Sequence, residues 1–141
     1  MSKNFPMKEH NYAVETVKYL FGKYLITAIT SSSRSVILDD LKSAGFNLNN
    51  FFNIQTAEDT FIHKPDPAVF NPTFESLKKM KISKKNMVYV GDAIKDYRAA
   101  SKAGINFIGI TTGLTTKEDF FQNGLTSQLV FKHLRELKKI M

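Results

Sequence analysis

Four apolar residues, Met87-Val88-Tyr89-Val90, run straight into Gly91-Asp92, and a second acid, Asp96, follows four positions later where the pattern turns helical. Such a run reads as a buried strand whose carboxyl end carries two carboxylates. In an open α/β sheet the crevice beyond the carboxyl ends of the strands is where ligands bind. Two acids at this spacing, one at the strand end and one in the first helical turn, suit a hard cation such as Mg2+. They equally suit a local role, with Asp92 capping the helix and Asp96 favouring its positive end. On this stretch alone both readings stand.

The rest of the chain builds a scaffold around it. Residues 8–21 place Ala13, Val14, Val17, Tyr19, Leu20 and Phe21 at roughly helical spacing, with Gly22 as a stop. Tyr24 to Ile29 has little polar content and is expected to be a strand buried on both faces. Ser35 to Ala44 is expected as a helix with Val36, Ile37, Leu38 and Leu41 inward and Gly45 as its C-terminal signal. Phe51 to Gln55 reads as a short strand. Asp66 and Pro67 read as a helix entry, N-cap followed by first position, with a turn to Asn71 and the main helix from Pro72 to Met80. Downstream come the opening strand, a helix from Asp96 to Ala103 closed by Gly104, and a strand at Asn106 to Ile110. A Thr-rich loop with Gly113 leads to a short helix at Lys117 to Gln122, an edge strand at Gln128 to Phe131 and a terminal helix at Lys132 to Ile140. Strands alternating with helices predict a mostly parallel sheet with helices on both faces, an α/β fold. At 141 residues the chain is read as one domain, 1–141.

In a parallel sheet the loops that follow the strands line the active crevice. The first delivers Thr30 and Ser31, small hydroxyl residues leading into a helix whose N–H groups suit an anion. The loop before Pro65 delivers Lys64, a point charge for a phosphoryl oxygen. The third delivers Asp92 and Asp96. Each has an ordinary structural explanation by itself: an N-cap, a solvated loop lysine, a helix cap. Their order along the chain describes a site for a phosphate and a divalent metal.

A net charge of +7 is compatible with nucleic acid, an anionic membrane surface or an anionic small substrate. The lysines are dispersed, as at Lys78, Lys79, Lys81, Lys84 and Lys85, and no run interleaves them with aromatics as a single-strand platform does. Nucleic-acid binding is therefore not the expected function. The absence of cysteine excludes disulfides, thiolate nucleophiles and Cys-based metal sites, and makes a cytoplasmic setting the simplest expectation. Residues 1–10 hold no apolar core of the signal-peptide kind, and no apolar run is long enough to span a bilayer, so no membrane partner is expected.

At these motifs the sequence resembles the carboxyl-terminal portion of the haloacid dehalogenase superfamily of phosphatases, in its phosphoglycolate phosphatase and β-phosphoglucomutase-like branch. Ile26-Thr27-Ala28-Ile29-Thr30-Ser31 is similar to that family's second motif, His63-Lys64-Pro65-Asp66-Pro67 to the third, and Gly91-Asp92 through Asp96 to the fourth, G-D-x-x-x-D. Ile110-Thr111-Thr112-Gly113-Leu114-Thr115 resembles the loop after the next strand. The resemblance implies a Rossmann-like three-layer sandwich and Mg2+-dependent hydrolysis of a small phosphorylated metabolite. It implies phosphate binding by Thr30, Ser31 and Lys64, a catalytic part for Lys64, and metal binding by Asp92 and Asp96.

The family's nucleophile, an Asp in a D-x-D motif near the amino end, has no counterpart, because D-x-D occurs nowhere in the sequence. Asp39-Asp40 has neither the spacing nor the strand context. The resemblance thus implies a member without its first motif, its central nucleophile strand and its helical cap, by truncation, a split gene or decay. Little turnover is expected from the chain alone. The alternative expectation is a non-catalytic phosphate-binding or interaction module derived from such a phosphatase. The strand ending at Ile29 is expected either to pair directly with Met87 to Val90 or to leave a strand-wide groove, one that a strand-donating partner or a second copy of the chain would fill.

Overall fold

The computed structural model describes residues 7–141, with side chains from residue 12 onward; the amino-terminal residues 1–6, part of the segment read above as lacking a signal-type apolar core, lie outside the described residues. The described residues divide into two compact units, one formed by residues 7–61 with 134–141 and the other by residues 62–133.

The first unit begins with helix α1, Met7–Phe21. Ala13 and Leu20, two turns apart, are its buried apolar positions, and Thr16 between them is buried with its hydroxyl donating to the Tyr12 carbonyl at 2.7 Å. Strand β1, Thr27–Ile29, leads to helix α2, Arg34–Ser43, and then to strand β2, Asn53–Gln55. The two strands are parallel, with Thr27 opposite Asn53, Ala28 opposite Ile54 and Ile29 opposite Gln55. The α2 face expected inward needs one correction, because Val36 is 49% exposed while Leu41 is buried. Ile37 and Leu41 are four residues apart and Leu38 and Leu41 three, so they share a stripe. Val36 lies about 100° off Ile37, outside it. Gly45, at φ 96°, ends the helix as expected, and Phe46 N–H closes back on the Leu41 carbonyl at 2.9 Å.

The second unit carries the opening motif. Asp66 caps a 3₁₀ turn, Pro67–Phe70, its carboxylate accepting from the Ala68 amide at 2.9 Å, and helix α3 follows as Asn71–Lys79. Strand β3 is Val88–Gly91, helix α4 Ile94–Ala103, strand β4 Asn106–Ile110, helix α5 Lys117–Gln122 and strand β5 Val130–Phe131. The three strands form a parallel sheet in the order β3-β4-β5. Here α4 starts two residues before the expected Asp96, whose side chain reaches back to the amides of Asp92 and Ala93 in the turn that leads into the helix. In place of the α-helix expected over residues 132–140 there is a 3₁₀ stretch, Leu134–Lys139; it belongs to the first unit, where Leu137 is buried and Arg135 stacks 4.1 Å from the Tyr12 ring centre.

Small residues let α4 sit close on the sheet: Ala99 and Ala100 are fully buried, and Ala103 nearly so. Between sheet and helices runs a line of rings, Phe74 on Phe70 at 5.6 Å, Phe70 on Tyr89 at 4.9 Å, Tyr89 on Phe107 at 6.2 Å and Phe107 on Phe120 at 6.0 Å. Phe70 and Phe120 are essentially inaccessible, and burial of each stabilises the unit by about 1.5–3 kcal/mol.

β1 is bonded to β2 and β3 to β4, in separate sheets. Among the described residues each of β1 and β3 has one strand neighbour, so each keeps one edge unpaired. Val88, expected in a buried strand, is 37% exposed, while Phe107 to Ile110 of the central strand β4 are buried.

Candidate functional site

The β3 motif acquires its geometry from Asp96, the third residue of α4. It is 3% exposed and uses both carboxylate oxygens. Oδ2 accepts from the amides of Asp92 at 3.2 Å and Ala93 at 3.0 Å, which fixes the turn between β3 and α4. Oδ1 accepts from Lys64 Nζ at 2.5 Å. The local reading of Asp92 as the helix cap needs correction: the N-cap position falls at Ala93, and it is Asp96 that ties down the turn, through the amides of Asp92 and Ala93 just ahead of the helix.

Gly91 makes the arrangement possible by having no side chain. A Cβ there would lie 2.6 Å from Asp96 Cβ and 2.7 Å from Oδ2, inside any real contact distance. Gly113 gives the same clearance to Asp92: a Cβ on it would stand 2.8 Å from Asp92 Oδ2. The loop after β4 therefore comes close to the Asp92 carboxylate through backbone alone, and Asp92 itself is exposed.

Lys64 is held from two directions. Besides Asp96, its ammonium donates to the Tyr89 hydroxyl at 3.1 Å, and its side chain is 19% exposed. Burial pulls its pKa down, but the attraction of the Tyr89 oxygen and the hydrogen bond and charge of Asp96 outweigh it and leave the ammonium above its ordinary range. Burial pushes the Tyr89 phenol up, against the pull of the Lys64 charge. At neutral pH the lysine is therefore a cation facing a neutral phenol.

Thr30 and Ser31 lie in the first unit, at the carboxyl end of β1. The Thr30 amide donates to the Gln55 carbonyl at 3.0 Å, and its hydroxyl accepts from the Ser32 amide at 3.1 Å, while Ser31 is exposed. The amide groups at the start of α2 have partners within the chain. Ser33 accepts from Val36 at 3.4 Å, and the Glu58 carboxylate accepts from the Arg34 amide at 3.2 and 3.0 Å. The Thr56 hydroxyl, above all, and the backbone amides at Glu58 and Arg34 hold the Glu58 carboxyl below its ordinary range.

The second unit thus brings Lys64, Asp92 and Asp96 around one loop. Tyr89 and Glu58 were not found from the sequence. For Tyr89 a signal existed, since alternation along β3 puts it on the same face as Gly91, the face that meets Asp96. For Glu58, 24 residues from Arg34, no local signal existed.

A bound Mg2+ keeps several waters and needs one or two protein carboxylates beside substrate phosphate. Asp92 fits that requirement, being a hard oxygen donor, exposed at a strand end, with Gly113 leaving it room. Asp96 is buried and already engaged with three donors, so its fit is as the support behind Asp92. Among the described residues no three His, Asp or Glu side chains converge as a metal cage.

The family model described as haloacid dehalogenase-like hydrolase matches residues 4–110. A phosphoglycolate phosphatase from Colwellia psychrerythraea is 29% identical over 98 residues, covering 69% of this chain and 42% of its own length. Among solved structures, the haloacid dehalogenase-like hydrolase from Bacteroides fragilis superposes with a TM-score of 0.75 at 27% identity, over 88% of this chain and 57% of that one. The hydrolase YfnB from Bacillus subtilis, solved bound to magnesium, gives 0.74 at 20% identity, over 95% and 57%. The chain therefore spans about two fifths of the length of the curated relative, at 42%. The α/β fold with parallel strands is the Rossmann-like fold of these structures. No described helix is long and apolar enough to cross a membrane.

Proposed function

Because the chain belongs to the haloacid dehalogenase-like hydrolase family, we propose that it is the phosphate- and metal-handling part of a phosphomonoester hydrolase acting on a small phosphorylated metabolite. The observation that carries this reading is the Lys64 ammonium, held in place by Tyr89 and Asp96, together with the exposed Asp92 at the end of β3. A fixed cation in a partly buried site is worth more to a phosphoryl group than one in water, and it needs no reorganisation when the ligand arrives.

Lys64 donates to a phosphoryl oxygen and offsets its charge. Asp92 would hold Mg2+, which when bound neutralises further phosphoryl charge. Asp96 keeps the Asp92 loop and Lys64 in place, through the hydrogen bonds it accepts from both. Thr30 and Ser31 keep the phosphate-binding part that the resemblance implies. The attacking carboxylate of the complete reaction is not in this sequence, which holds no D-x-D. The open edge of β3 supports its being supplied on an apolar strand of another polypeptide that joins the sheet there.

The same features support a second reading, a module that binds phosphate without hydrolysing it, favoured by the missing D-x-D alone. One experiment tests the site that both readings share. Purified chain is incubated with p-nitrophenyl phosphate and Mg2+, and its unfolding temperature is measured with inorganic phosphate and Mg2+. The expected result is no phosphate release above buffer together with a raised unfolding temperature, lost in Lys64→Met and reduced in Asp92→Asn. Mg2+-dependent release abolished by Asp92→Asn would overturn the inactivity. An unfolding temperature indifferent to phosphate would overturn the site.

A further inference from the structure

We infer that Tyr89 is a positioning residue for Lys64, one that aims the lysine's remaining N–H at the ligand. The inference rests on the reading of Lys64 as the phosphate-binding cation and extends it to a residue inside β3.

A lysine side chain is a point charge on four rotatable carbons, with three N–H bonds to place. One acceptor leaves such a group free to swing about the contact. Here two acceptors lie on different elements, Asp96 Oδ1 on α4 at 2.5 Å and Tyr89 Oη on β3 at 3.1 Å. Two bonds to fixed acceptors determine the direction of the third. What makes the phenol a fixed acceptor is its ring, wedged edge-on against Phe70 at 4.9 Å and tilted on Phe107 at 6.2 Å. Phe70 is 1% exposed and Phe107 4%, so the ring has rigid walls.

The two acceptors divide the work by chemistry. Asp96 places a charged partner against the ammonium. Tyr89 contributes direction with no second negative charge, which leaves the lysine's positive field available to an incoming anion. A carboxylate in its place would neutralise that field, and an aliphatic residue would fill the space without accepting a bond. Packing alone calls for an aromatic ring at this position, and phenylalanine would supply it. The hydroxyl is what packing does not explain.

Tyr89→Phe keeps the ring and removes only the oxygen, so its unfolding temperature reports whether packing survives. Two further readouts are then taken on wild type and variant: the dissociation constant for inorganic phosphate by calorimetry, and the rate at which trace acetic anhydride labels Lys64, followed by mass spectrometry. Phosphate affinity is expected to fall roughly threefold to tenfold in the variant, the loss of one hydrogen bond's worth of placement. Lys64 is expected to label faster. Where wild type binds phosphate, affinity decides, and a variant that binds equally well makes Tyr89 a packing residue only and ends the inference. Where wild type binds no phosphate, the phosphate reading of Lys64 fails by itself, and labelling decides: a faster rate in the variant sustains the positioning role, and an unchanged rate ends it.

Discussion

At the scale of single residues, the most constrained position is Gly91. Its need for glycine is not one of backbone dihedrals, since it is not among the residues with positive φ. The need comes from Asp96, whose Cβ and carboxylate occupy the space a methyl group would take, at 2.6 to 2.8 Å. Asp96 cannot swing aside cheaply, because it is buried and accepts three hydrogen bonds. Gly91→Ala is therefore expected to destabilise the protein by about 1–3 kcal/mol, the ordinary cost of overpacking a tight site. Chemical denaturation checks it; a variant within a few tenths of wild type would mean that Asp96 relocates freely. The presence of a glycine and two acids was legible in the sequence. The division of labour between the acids was not, because nothing local says which carboxylate turns inward.

Among the elements, those with strong punctuation were legible. Gly45, Gly104 and Gly124 all take positive φ and end the helices they were expected to end. Asp66 caps its turn as the proline spacing indicated. Strand lengths and the final helix were less legible, since a short apolar run fits strand or 3₁₀ turn and only its neighbours decide. The edge strands also differ in a way that bears on partners. β5 is two residues long and is followed at once by Lys132, a blunted edge. β3 is four residues, Val88-Tyr89-Val90-Gly91, with no charge or proline within it. If that edge takes a strand from another chain, light scattering after size exclusion is expected to give a mass above the 16.0 kDa of one chain. A stable monomer across the micromolar range would count against a strand-donating partner or self-association.

For the whole molecule, the cluster at β3 sets a prediction in alkaline solution. Lys64 is held above its ordinary value of 10.5 and Tyr89 above its ordinary 10.0. In both cases the folded protein binds the proton more tightly than the unfolded chain does. The stability this contributes is fully present below about pH 10 and is lost as the pH rises through the raised values. Thermal unfolding followed by circular dichroism is expected to show a decline in wild type above about pH 10. A stability that does not fall as the solution is made more alkaline would contradict the raised values.

By itself the sequence determined the α/β alternation, the parallel strands, the helix ends and the motif Gly91-Asp92 to Asp96, because each rests on periodicity or on residues within a few positions of one another. Only the tertiary structure decided what that motif does. Lys64 is 32 residues from Asp96 and 25 from Tyr89, and it meets both because a packed sheet and helix bring three separate segments to one point. Local chemistry is written in neighbouring residues. A charge cluster assembled across such separations is fixed by the fold, which chose Asp96 to hold, Asp92 to face outward and Tyr89 to join them.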